Sequence, residues 1–134
     1  MRVIIEPGIL EEVVRHAREC LPEEACGFLI GRGDNVQRFV TATNELASAT
    51  AYNIAPQCLF DLVRELRVSG EDLVGIYHSH PATEAVPSSR DVAEAHYPDS
   101  AYVIVSLCDP DRPEVNAFRI VDGQVEEVEL HAIV

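Results

Sequence analysis

Lysine is missing from this chain. All ten basic residues are arginines, they face 23 acids for a net charge of −13, and they nowhere form a run. Neutralisation of phosphates by basic side chains supplies most non-specific affinity for nucleic acid, so no nucleic-acid partner is expected. Long hydrophobic runs are missing too: no apolar stretch approaches the ~18 residues of a membrane span. The opening MRVIIEPGILEEVV lacks a basic region followed by an apolar core and a small-residue cleavage site. These absences predict a cytoplasmic protein with no membrane contact. Cys20, Cys26, Cys58 and Cys108 form no C-x-x-C pair, and four cysteines in that compartment are expected to be reduced and buried. A Cys20 to Cys26 bridge stays open for a hyperthermophilic source.

Repeats, low-complexity segments and Gly/Ser linkers are also lacking, so residues 1–134 read as a single domain. A chain of this size buries roughly two thirds of the surface its unfolded form exposes. Its 47% hydrophobic and 25% charged residues are those of an ordinary soluble globular protein. The acids of GQVEEVELHAIV near the C-terminus read as the solvated face of a strand. A monomer or a homodimer is expected.

Hydrophobic periodicity supplies the elements. RVII reads as a short strand, and Pro7 suits the first turn of a helix running to about Leu21, with Ile9, Leu10, Val13, Val14, Ala17 and Leu21 at helical spacing. ACGFLIG and VQRFVTAT around the turn RGDN predict a hairpin. Residues 44–56 look like loop, 57–68 like a second helix with the stripe Leu59, Phe60, Leu62, Val63 and Leu66, and LVGIYHSH like the next strand. A helix from about Ser88 to His96 follows, then the strands AYVIVSL, VNAFRI and VEEVELHA, the last two joined by a DG turn. Together these predict an α/β fold, a mixed and largely antiparallel sheet flanked by helices.

The stretch GIYHSHP sets two of the five histidines at alternate positions behind an apolar run. On a strand, residues i and i+2 share a face, so His78 and His80 stand side by side, roughly 7 Å apart at Cα, with Ser79 turned away. Two hydrogen-bonded core histidines are one reading; a metal site is the other. Asp91, at the start of the next helix, turns the balance, since two neutral imidazoles and one carboxylate leave the fourth tetrahedral position of zinc open for water. Ser88 and Asp91 also have the spacing of a helix capping box. The two roles are compatible, because a helix N-terminus favours the ionised carboxylate that a metal ligand needs.

These residues together, HSHP, six more and then SSRD, resemble the JAMM or MPN+ metalloprotease signature H-x-H-P-x(6)-S-x-x-D, matched in His78, His80, Pro81, Ser88 and Asp91. The family's upstream E-x-C-G segment is similar to EACG, which implies Glu24; by its residues alone Glu24 reads as a surface acid, and only the resemblance prefers it to Glu23. The resemblance implies Zn2+ held by His78, His80 and Asp91, Glu24 as general base and then general acid, and Ser88 donating to the oxyanion. It implies hydrolysis of peptide or isopeptide bonds at the flexible C-terminal tail of a ubiquitin-fold protein, a modifier or a sulfur carrier, by the stand-alone prokaryotic kind of enzyme. An exposed strand edge near the site would suit such a tail. A non-catalytic MPN scaffold is the alternative, although such a domain typically has lost a ligand. A zinc deaminase of similar architecture would need H-x-E and P-C-x-x-C, both absent.

Overall fold

A computed structural model describes residues 1–132. The chain runs through β1 (Arg2–Ile5), α1 (Pro7–Cys20), β2 (Cys26–Arg32), β3 (Asn35–Ala42), α2 (Pro56–Ser69), β4 (Asp72–His80), α3 (Ser89–Ala93), β5 (Ala101–Ser106), β6 (Glu114–Val121) and β7 (Gln124–Ala132). Prolines open both long helices, where a missing N–H costs nothing. Gly70, at φ 72°, closes α2 with its N–H donating to the Leu66 carbonyl. The turn between β6 and β7 places Asp122 and Gly123 at φ 49° and 77°, the left-handed pair that a two-residue hairpin demands.

One helix is shorter than its sequence suggests. α3 stops at Ala93 and does not continue to His96. Pro98 disfavours helical geometry at Tyr97. The Tyr97 N–H instead donates to the Tyr102 hydroxyl at 3.0 Å, and Ala95 and Tyr97 pack against the core from non-helical backbone.

The strands lie in the order β1-β3-β2-β4-β5-β6-β7, and β1 pairs in parallel with both β3 and β7, closing the sheet on itself. Antiparallel pairings number four of seven, with β4 and β5 supplying the remaining parallel one. The mixed, largely antiparallel sheet flanked by helices is therefore as expected. Closure by the four-residue β1 was not read from RVII, which carries no mark of its partners. β1 meets β3 only at Asn35 and Val36, so β3 from Gln37 to Ala42 has no strand partner on that side among the described residues.

Two apolar clusters occupy the two faces of the sheet. α1 sends Ile9, Val13 and Ala17 against Val3, Ile5, Leu29, Tyr77, Val103 and Val105. α2 sends Leu62, with Leu59 and Leu66, against Phe28, Ile30, Ile76, Tyr102 and Ile120. Between β2 and β3 the backbones approach closely at Gly27, where a Cβ would lie 2.6 Å from the Val40 carbonyl oxygen and 2.8 Å from the Phe39 ring.

The cysteines are all free. Cys26 is buried, but Cys20 and Cys58 are half-buried and Cys108 is exposed, so general burial of the thiols does not hold. Glu126, Glu127 and Glu129 of β7 are exposed, as a solvated strand face requires; the end of that stretch, residues 133–134, lies outside the described residues. No helix among the described residues is long and apolar enough to cross a membrane.

Candidate metal centre

β4 is buried from Val74 to His80. Its pairing with β2 slips once: Leu29 opposes Gly75 while Ile30 opposes Leu73, so Val74 is an extra, bulged residue. Beyond the bulge the strand alternates cleanly. Tyr77 enters the α1 core, whereas Ile76 joins the α2 core and His78 and His80 continue along that face beyond it.

The two imidazoles converge as the alternation predicts. Their Nε2 atoms lie 3.1 Å apart, and each is 3.1 Å from the same Oδ2 of Asp91. His78 is 1% exposed and His80 4%. Asp91 arrives from the first turn of α3, which Ser88 caps. The Ser88 Oγ accepts from the Asp91 N–H at 3.1 Å, while the Ser88 N–H donates to Asp91 Oδ2 at 2.9 Å. The capping box and the convergence on the histidines therefore coexist, one carboxylate serving both.

Glu24 sits just before β2, and the structure separates it from its neighbour. Glu23 is exposed; Glu24 is 5% exposed. A Glu24 carboxylate oxygen and a ring nitrogen of each histidine lie within 4.8 Å of one another. Its Oε1 has no hydrogen-bond partner in the protein. The backbone holding it is pinned from both sides. The Glu24 N–H donates to the Ser48 carbonyl at 2.7 Å, and its carbonyl accepts from Asn44 Nδ2 at 3.1 Å. Ser79, turned away from the metal face, braces the next residue: its Oγ accepts from the Ala25 N–H at 2.8 Å and its own N–H donates to the Ala25 carbonyl at 3.0 Å.

Charge is unevenly tolerated in this buried cluster. Burial alone would raise the Asp91 carboxyl, but hydrogen bonds with His78 and His80 outweigh it and hold the group well below the usual carboxylate range. Burial lowers His78 despite the neighbouring Asp91, so its ring favours the neutral, metal-binding form. His80 is raised: burial works against the cation, yet the Asp91 contact and the Glu84 carbonyl together prevail. The His80 Nδ1–H donates to that carbonyl at 2.7 Å, which in the neutral ring leaves Nε2 as a bare lone pair facing Asp91. Glu24 is pushed up to about 7, chiefly by burial, with His80 and Arg90 opposing and Asp91 adding to the rise.

Two features escaped the sequence. Tyr52, from the segment between β3 and α2, lies face to face with His78, ring centroids 4.4 Å apart and planes 19° from parallel. Asn44 uses its whole amide: Nδ2 donates to the Glu24 and Ala51 carbonyls, and Oδ1 accepts from the Leu46 and Asn53 N–H groups. A lone tyrosine and a lone asparagine in a polar segment carry no pattern that would single them out. Two cavities flank the cluster. One of about 330 Å³ is walled by Tyr52, Ile76, Leu59, Tyr97 and Tyr102; the other, about 450 Å³, by His80, Thr83, Glu84, Val86, Ser88 and Cys108.

Fold and cluster define a class: α/β hydrolases in which two imidazoles and a carboxylate that could hold a metal converge at a strand end beside a buried glutamate. The model of the prokaryotic homologs of the JAB domain matches residues 6–121, and the chain belongs to that family. It is 40% identical over 133 residues to the CysO-cysteine peptidase of Mycobacterium tuberculosis, covering 98% of this chain and 91% of that relative. It is 34% identical over 119 residues to the desampylase of Haloferax volcanii, covering 82% of each chain. The solution structure of a Desulfitobacterium hafniense protein superimposes with a TM-score of 0.88 at 36% identity, over 98% of this chain and 92% of that one.

Proposed function

We propose that this chain is a zinc-dependent hydrolase that cuts the peptide or isopeptide bond at the C-terminal tail of a ubiquitin-fold protein, a modifier or a sulfur carrier. The observation that carries the proposal is the triangle of His78 Nε2, His80 Nε2 and Asp91 Oδ2, 3.1 Å on every side. Ligands about 2.0–2.1 Å from a tetrahedral zinc stand about 3.3 Å from one another, so the donor set fits that ion closely. Three protein ligands leave a fourth position for water or substrate. The partnerless Oε1 of Glu24 adds a buried acceptor beside that position.

His78, His80 and Asp91 would hold the zinc, which when bound supplies a Lewis acid that acidifies water to a pKa of about 7 and polarises a carbonyl. Glu24 takes the proton of the attacking water and returns it to the leaving amine. In the metal-free protein burial pushes its carboxyl up to about 7, so the group readily carries a proton near neutral pH. Ser88 spends its oxygen on the Asp91 N–H, which leaves its hydroxyl hydrogen to donate to the developing oxyanion. Ser88 is exposed and lines one flanking cavity, which leaves it open to a substrate.

The names of two relatives, CysO-cysteine peptidase and desampylase, support the substrate class. So does the geometry of the sheet. Ala42, at the far end of the β3 edge that has no strand partner among the described residues, is two strands from the site, since it opposes Cys26 and Cys26 opposes His78. An extended tail can add to that edge and enter the cluster.

The test is cleavage of a ubiquitin-fold protein whose C-terminal tail is fused to a reporter, with both products weighed. Wild type should cut at the tail's end. Glu24→Gln should keep its zinc and lose about 10²-fold or more in rate. A freshly purified protein with zinc content near zero and no cleavage would leave a non-catalytic scaffold as the reading.

A further inference from the structure

The two histidines are anchored by different means. An imidazole's χ2 is broad, so a fixed Cα does not by itself fix the plane of the ring. Metal-binding histidines generally obtain that plane from a hydrogen bond to the second ring nitrogen. His80 has one, from Nδ1 to the Glu84 carbonyl. His78 does not: its Nδ1 is buried and has no partner in the protein. What lies against His78 instead is the flat face of Tyr52, 4.4 Å away and 19° from parallel.

Tyr52 is itself held from both sides. The Ala51 carbonyl accepts from Asn44 Nδ2 at 3.0 Å and the Asn53 N–H donates to Asn44 Oδ1 at 3.1 Å, so one side chain grips both neighbours in sequence. The Asn53 carbonyl accepts from the Glu45 N–H at 2.9 Å, and Asn44 bridges to Ile54. The same Asn44 amide holds the Glu24 carbonyl. The segment that carries the tyrosine is thus tied to the backbone of the glutamate.

We infer that Tyr52 is a positioning residue for His78, its stacked ring setting the imidazole plane that a hydrogen bond sets for His80. The inference rests on the reading of His78 as a zinc ligand. The tyrosine acts through its ring face, and its hydroxyl is dispensable.

Zinc affinity, measured by competition with a chromophoric chelator, and the visible d–d bands of Co2+-loaded protein test this. Tyr52→Phe should stay within about 3-fold of wild type in affinity with unchanged bands. Tyr52→Leu, which fills the space without a flat face, should lose about 10-fold or more, the cost usual for removing a group that orients a ligand, and its Co2+ bands should shift. The neighbouring cavity gives the leucine room. If Tyr52→Leu does not fold by circular dichroism, Tyr52→Met, with its adaptable chain, makes the same comparison. A folded Leu or Met variant with wild-type zinc affinity and wild-type bands overturns the inference. Equal losses in Phe and Leu overturn it as well, by placing the effect in the hydroxyl. Were wild type itself to bind no zinc, or His78→Ala to bind it as tightly, the failure would be that of the proposed metal site and not of Tyr52.

Discussion

Replacing Glu24 by glutamine should stabilise the metal-free protein, and by an amount that depends on pH. The carboxyl is 5% exposed with one oxygen unpartnered, and its folded-state value is about 7 against an ordinary 4.5. Because that value is raised, the folded chain holds the proton more tightly than the unfolded one. Stability therefore falls as pH climbs from about 4.5 to about 7 and then levels off. At about 1.4 kcal/mol per unit the full difference would be about 3.5 kcal/mol, and residual solvent access near the mouth of the site reduces it to about 2 kcal/mol. Glutamine, shaped like the protonated acid, escapes this cost. With a urea slope of about 2 kcal/mol per molar, Glu24→Gln should unfold about 1 M later than wild type at pH 8 in the presence of a chelator. By pH 5 the gap should shrink to a few tenths molar. Comparing the two proteins at each pH cancels the titration of groups that Glu24 does not touch; His80, which the Glu24 charge helps to raise, titrates as part of the same effect. Coincident unfolding curves at pH 8, or a gap that stays constant between the two pH values, would refute the argument that Glu24 is a buried, strained carboxylate.

Three other outcomes follow from the same geometry. Purified protein should carry about one zinc per chain by elemental analysis, and His80→Ala should lose it; full retention of zinc would remove His80 from the ligand set. Chelated protein should keep its far-ultraviolet circular dichroism at room temperature, because the cluster hangs on a strand paired on both sides; collapse of the signal would contradict this. Gly27→Ala should cost at least about 2 kcal/mol in urea unfolding, since its methyl group would meet the Val40 carbonyl oxygen at 2.6 Å and neither strand can easily yield.

How far the sequence leads depends on whether the relevant geometry is local. His78 and His80 were legible because strand alternation is a backbone property, and the structure adds only the 3.1 Å between their nitrogens. Asp91 was legible as the carboxylate that opens the next helix, and its capping-box spacing, the competing reading, proves compatible with its convergence on the histidines. From its residues alone Glu24 was not, and only the family resemblance chose it: two adjacent acids in a polar connection look alike until the fold buries one and leaves the other exposed. The helix expected to run to about His96 stops at Ala93, and Ala95 and Tyr97 reach the core from irregular backbone that no local periodicity marks. Tyr52 and Asn44 act across contacts that no local periodicity encodes.

The smallest strand has the longest reach in time. β1 joins residues at opposite ends of the chain, Ile4 opposing His131 and Ile5 opposing Ala132. During synthesis β1 must therefore wait for β7, with its own free side a raw edge meanwhile. Contacts of such sequence separation form slowly because chain closure must precede any reward. The hazardous interval for this protein is the one before β7 is in place, when an open edge can pair with another chain. By then the β2–β4 ladder, which bears His78 and follows closely on Glu24, has long been synthesised and lies away from the seam, so the candidate site can be assembled before the sheet is closed.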